Sequence, residues 1–143
     1  MATTFDEVED LALIIVNDYK LNNLYNKDII AFHKYCDGFL IKAIPNFTLC
    51  KQSLEYDLEN RTFLYDLTIL EKDILSDYWV LEWYTREANN ASQIANKLQT
   101  TGSFKSHSEA QNMKAKESRL NVMREKVAQK CIDYQLADLS SIY

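Results

Sequence analysis

The stretch TILEKDILSDYWVLEWYTREANNASQIANKLQTTGSFKSHSEAQNMKAKESRLNVMREKVAQKCIDY, residues 68–134, decides the fold. It opens on Thr68-Ile69-Leu70-Glu71, a capping box in which a hydroxyl and a carboxylate each satisfy an orphan backbone amide. Ile74, Leu75, Tyr78, Leu81, Tyr84 and Ala88 then recur at helical spacing. They predict a helix from Thr68 to Ala88 that either continues past Asn89-Asn90 to Leu98 or bends there. The polar run Thr100-Thr101-Gly102-Ser103-Phe104-Lys105-Ser106 breaks it, with Gly102 placed as a C-terminal stop. Ser106-His107-Ser108-Glu109 is a further capping box, and a last helix follows. Met113, Leu120, Val127 and Tyr134 are seven apart and form a seam for another long helix, with Met123 and Cys131 beside it.

Upstream, Thr4-Phe5-Asp6-Glu7 is again a capping box. Val8, Leu11, Ala12 and Ile15 line one side of a first helix, and Tyr19 could extend that side. Asp6, Glu7, Glu9 and Asp10 sit where the helix dipole favours acids. Asn22-Asn23 and Asn26 suggest a connection, with Asn26 capping a second helix that ends near Ala43. Ile29, Phe32, Cys36, Phe39, Leu40 and Ala43 make its apolar stripe. Gly38 either weakens that helix slightly or admits a close neighbour. Pro45 biases Ile44 away from helical geometry and marks the end. Between 46 and 66, Leu54, Tyr56 and Leu58 alternate with acids, Glu59-Asn60-Arg61 can turn, and Thr62-Phe63-Leu64-Tyr65 can return. A small hairpin and short helical turns both fit. A lone hairpin would need helices or a neighbouring strand to hold it.

The chain has 143 residues, 47% hydrophobic and 26% charged, enough for one ordinary domain with its own core. It has only two glycines and one proline, so a turn-rich β-architecture does not fit. The expectation is an all-α bundle of four to five helices with two long C-terminal ones and room for a hairpin over 54–65. One helical domain spans 1–135 and an apolar tail 136–143, with Leu136, Leu139, Ile142 and Tyr143. Cys36, Cys50 and Cys131 are odd in number and scattered, which fits free thiols in a reducing cytosol. Leu11 to Val16 is too short to span a bilayer, so no membrane association is expected. The sequons at Asn46, Asn60 and Asn90 read as chance matches in that setting.

Charge is divided unevenly. Residues 1–90 carry 16 acids against 8 bases and residues 91–143 carry 5 against 8, giving −8 and +3 and the chain's −5. The plain reading is a solvated basic helix beside acidic ones; the sharper reading gives the two halves different partners.

Constellations for chemistry are thin. His33, Cys36, Asp37 and distant Cys50 contain ligand types, but a structural zinc site needs a second tight pair, and Cys36 reads as core. Neither His33 nor His107 has a recognisable catalytic context. There is no GxxxxGK[ST] or GxGxxG loop for a nucleotide. Lys105, Lys114, Lys116, Arg119, Arg124, Lys126 and Lys130 would suit phosphates, yet Glu109, Glu117 and Glu125 interrupt them and the chain is acidic overall. Trp79 and Trp83 are four apart and share a helix face. They serve as core, as anchors at an interface, or one in each role. No enzyme activity, cofactor or metal is expected.

Ile74, Leu75, Tyr78, Leu81 and Trp83, then Ile94 and Leu98, then Ser103-Phe104-Lys105-Ser106, Ser108, Ala110, Asn112 and Met113, followed by Arg124-Glu125-Lys126, form a pattern. Over roughly residues 65–135 it resembles the head–tail connector or adaptor proteins of tailed bacteriophage necks. The resemblance implies a structural virion protein, held in the host cytoplasm before assembly. It would dock in many copies, as a ring, on the portal protein, extend the DNA channel, and present a platform to other neck or tail-completion proteins. DNA would pass without sequence-specific binding. The portal would meet the segment from Arg119 to Tyr143, Arg124 included, with Leu136, Leu139, Ile142 and Tyr143 as the buried tail. Partner contacts are expected at Trp79, Trp83, Phe104 and Lys105 as well. The acidic first half would face the channel, neighbouring copies or the next neck protein. The runner-up is a small helical nucleic-acid-associated or regulatory protein.

Overall fold

The computed structural model describes residues 2–16, 18–100 and 105–140, with side chains over 2–16, 18–90 and 114–137. Five α-helices follow in order: α1 Phe5–Ile15, α2 Tyr19–Lys27, α3 Ile29–Ala43, α4 Ile69–Thr100 and α5 Lys105–Ser140. Two short strands, β1 Tyr56–Asp57 and β2 Thr62–Phe63, pair antiparallel between α3 and α4. The all-α expectation with its small hairpin therefore holds.

Two expected capping boxes lie among the described side chains, and both are formed. The Glu7 amide donates to Thr4 Oγ1 at 3.3 Å and the Thr4 amide to Glu7 at 2.7 Å. The Glu71 amide donates to Thr68 Oγ1 at 3.2 Å and the Thr68 amide to Glu71 at 2.8 Å. The box at Ser106 lies outside the described side chains. The helix that was to start there begins at Lys105.

The region around the asparagines departs from expectation. Asn22, Asn23 and Asn26 lie inside α2 rather than in a connection. Asp18 caps that helix, its carboxylate accepting from the Lys20 amide at 2.6 Å. Burial of Leu21 against the rest of the core outweighs the weak helix preference of asparagine. Asp28, not Asn26, caps α3, accepting from the Ala31 amide at 3.2 Å. Ile44 stays helical (φ −52°, ψ −48°) because Pro45 opens a short 3-10 turn over Ile44–Asn46 instead of ending the helix outright. Around Gly38 an added Cβ would meet nothing within 4 Å, so no helix uses it for close approach.

The hairpin is not left to itself. The Phe63 amide donates to the Thr3 carbonyl at 2.8 Å, the Thr3 amide to Tyr65 at 3.2 Å and the Phe5 amide to Arg61 at 2.9 Å. Thr4, just ahead of α1, thus forms a single antiparallel bridge to Thr62, and the rings of Phe5 and Phe63, both fully buried, meet edge to face at 5.3 Å.

Helix α4 is the central element, packing on α1, α3 and α5. Ile74, Leu75, Trp79, Val80 and Trp83 are buried on it. From α5, Leu120, Val127, Cys131 and Tyr134 are buried, as the seven-residue seam predicts; the Met113 side chain lies outside the described set. Helix α5 runs through to Ser140, so residues 136–140 continue the helix rather than forming a tail after Tyr134.

Candidate functional site

Two buried polar clusters hold this fold. The first links α1, α3 and the hairpin turn. The turn is closed by Asp57, whose carboxylate accepts from the Glu59 and Asn60 amides at 3.0 and 3.3 Å. It ends on Arg61, a non-glycine residue at φ 55°. That backbone sends the guanidinium between α1 and α3. Arg61 donates through Nε and Nη2 to the two oxygens of Asp37, both at 2.8 Å. Its Nη2 also lies 3.0 Å from Asp6 and 3.2 Å from Glu9. Three carboxylates thus face one guanidinium. Burial first, then the hydrogen-bonded contact with Asp37 and its charge, push Glu9 up to about 10, so Glu9 carries a proton at neutral pH. Burial would lift Asp37 as well, but the hydrogen bonds from Arg61 and Glu9 outweigh it and hold Asp37 below the ordinary carboxylate range.

Donor atoms of Asp6, Glu9 and His33 lie within 4.8 Å of one another, a spacing that a metal could draw together. Arg61 already supplies the cation at two of those three. The four residues considered from the sequence, His33, Cys36, Asp37 and Cys50, are not assembled, because the Cys50 thiol points instead at Glu71, 3.6 Å away. Burial, then the charges of Glu9 and Asp37, push the Cys36 thiol up to about 12, so it is no nucleophile at neutral pH.

The second cluster centres on Glu71. Beyond closing its own cap, it accepts from the Tyr134 hydroxyl at 2.6 Å and from Gln52 at 2.5 Å. Tyr134 in turn accepts from the Lys51 amide at 3.0 Å. One carboxylate thereby joins the start of α4, the 47–53 loop and α5. Burial alone would raise Glu71, but the hydrogen bonds from Tyr134, Thr68 and Gln52 hold it lowered. Lys130 of α5 bridges Asp73 and Asp77 of α4 at 2.8 and 2.6 Å.

An open pocket of about 390 Å³ lies beside the first cluster. Leu13, Val16, Leu21, Tyr25, Ile29 and Phe32 make its apolar wall; Asp6, Glu9, Asp10, Asn22 and His33 complete it. His33 Nδ1 is buried there with no hydrogen-bond partner.

The expected partner-binding residues separate into three groups. Trp79 and Trp83, 0% and 6% exposed, are both core, so neither indole is on offer as an anchor. Trp79 Nε1 donates to the Cys36 carbonyl of α3 at 2.9 Å, and its ring lies 5.4 Å from Phe39; Trp83 packs edge to face on Tyr84 at 5.0 Å. Arg119, Arg124 and Leu136 are exposed on α5. Phe104, Ile142 and Tyr143 lie outside the described residues. Lys105 and Leu139 are helical, with side chains outside the described set.

In the sequence Glu9 reads only as part of an acidic first turn, Asp37 only as a ligand type and Arg61 only as part of a turn, and nothing there joins them in one cluster. A signal existed for the first two: each interrupts an apolar stripe, Glu9 between Val8 and Ala12 and Asp37 between Cys36 and Phe39. An acid at a core position needs a cation, and only the fold identifies Arg61 as that cation. No protein-family model, curated protein or solved structure matches the chain.

Proposed function

We propose that this protein is a two-sided helical adaptor of a tailed-phage neck, docking in several copies on the portal and offering a platform to a further neck or tail-completion protein. The observation that carries the reading is the division of its exposed surface. On α5, Lys114, Lys116, Arg119, Arg124 and Lys126 are exposed together with Val122, Ile132 and Leu136, and outnumber the exposed Glu117, Glu125 and Asp133. On α1–α3 the exposed surface combines Ile14, Tyr25, Ile29 and Ile30 with Asp6, Glu7 and Asp10 at the start of α1 and Lys20, Lys27, Lys34 and Lys42 along α2 and α3. An adaptor has to hold two neighbours without confusing them, and two separate apolar surfaces, one on a helix with more exposed bases than acids and one beside the acidic start of α1, support that. Many copies around a ring would gain by multivalency, so neither surface needs to be strong alone. The resemblance over residues 65–135 assigns the α5 side to the portal.

The test is recovery of partners from a nuclease-treated, phage-producing lysate on the tagged full chain, with identification by mass spectrometry. Recovery of the portal together with a neck or tail protein is expected. Binding that disappears with the nucleic acid, or recovery of no virion protein, overturns the reading and favours a nucleic-acid-associated protein.

A further inference from the structure

We infer that the pocket between α1, α2 and α3 is a receptor for a lysine side chain flanked by apolar residues on a partner polypeptide. The inference stands on the pocket alone and does not depend on the neck reading. Its volume of about 390 Å³ lies in the range of sites that enclose a ligand group. Three carboxyl-bearing residues line it, Asp6, Glu9 and Asp10, and no Lys or Arg does. With Glu9 neutral, Asp6, Asp10 and Asp37 still outnumber Arg61, which leaves negative charge at the pocket's polar end. His33 Nδ1 makes no hydrogen bond and lies 3.8 Å from Asp6 Oδ1 on the pocket's polar side. A primary ammonium supplies up to three N–H donors on a compact charge, and its four-carbon stem suits the wall of Leu13, Val16 and Phe32.

The surroundings point to a polypeptide rather than a free amine. Tyr25 and Ile29 line the pocket yet remain 51% and 46% exposed, and Ile30 beside them is 78% exposed. A small amine would leave these side chains in water, whereas apolar residues next to a lysine would cover them.

The probe is a blocked leucine–lysine–leucine peptide titrated into the isotope-labelled full chain, followed by amide chemical shifts. The control peptide has norleucine for lysine, and butylammonium is a third arm. Shifts are expected at Asp10, Leu13, Leu21 and His33, with at least tenfold weaker binding for the norleucine peptide and for butylammonium. Asp10→Asn should weaken the lysine peptide about threefold or more, and Asp10→Lys should abolish binding. Asp10 is exposed, so both variants are expected to keep the wild-type spectrum elsewhere. Equal binding of the lysine and norleucine peptides, shifts outside the pocket, or no shift at millimolar peptide overturns the proposal. Butylammonium binding as tightly as the peptide overturns the polypeptide assignment.

Discussion

Glu9 and Glu71 are equally buried, each 2% exposed, yet they settle in opposite charge states. Around Glu71 the neighbours are donors: the Tyr134 hydroxyl, the Gln52 amide and the backbone of its own cap. A carboxylate surrounded by donors keeps its charge despite burial. Around Glu9 the neighbours are Asp37, Asp6 and one guanidinium already committed to Asp37, so it keeps a proton. The difference shows that burial alone does not set the charge of an acid; the supply of donors does. It also separates two regions. The α4–α5 frame has a satisfied polar network and is built to hold shape. The α1–α3 end retains surplus acid, an unpartnered histidine nitrogen and an open pocket, features suited to meeting something else.

Substitutions can break this contrast, beginning with the strongest. Arg61→Met removes the single cation facing Asp6, Glu9 and Asp37, and should cost about 3–5 kcal/mol in denaturant unfolding at pH 7. A loss below ~1 kcal/mol would mean the cluster is solvated. Glu71→Gln should cost about 3 kcal/mol, since it weakens several charge-assisted bonds at once. Tyr134→Phe removes the bond to Glu71 and the bond from the Lys51 amide, so about 1–2 kcal/mol is expected. Glu9→Gln should match the wild type near pH 4, because a neutral amide can donate to Asp37 as the protonated acid does, and should be the more stable form at pH 7, where the acid must take up a proton on folding.

The pH dependence sharpens the same comparison, with opposite signs. Glu9 has a folded value above its unfolded one, so its contribution is complete below the unfolded carboxylate value, near 4.5, and is lost as pH rises towards about 10. Glu71 has a lowered folded value, so its contribution is present above 4.5 and is lost as pH falls. Unfolding free energies measured from pH 4 to 9 should therefore show Glu9→Gln flattening the alkaline side and Glu71→Gln the acid side. The same side changed by both would remove the distinction between the clusters.

Much of the frame was legible in the sequence because it depends on local signals. The caps at Thr4 and Thr68, the stripe through Ile74 and Leu75, and the seam through Leu120, Val127 and Tyr134 all act within a helix or between adjacent helices. Helix α2 was hidden because asparagine is a weak turn signal that the burial of Leu21 overrides. The indoles could not be assigned from spacing, since a core face and an interface face repeat alike; the fold puts Trp79 and Trp83 inside. The pocket was least legible. The polar cluster beside it depends on Arg61 reaching Asp37 across 24 positions and Glu9 across 52, and helical periodicity carries no information at that range.

The measurement that bears most directly on the two-sided account is partner recovery with three baits from one nuclease-treated phage lysate: wild type, the double substitution Arg119→Glu with Arg124→Glu, and Asp10→Lys. The account predicts that wild type recovers the portal and a second neck or tail protein. The α5 variant should lose only the portal, and the pocket variant only the second protein. Loss of the same partner from both variants, or no virion protein on wild type, would contradict it.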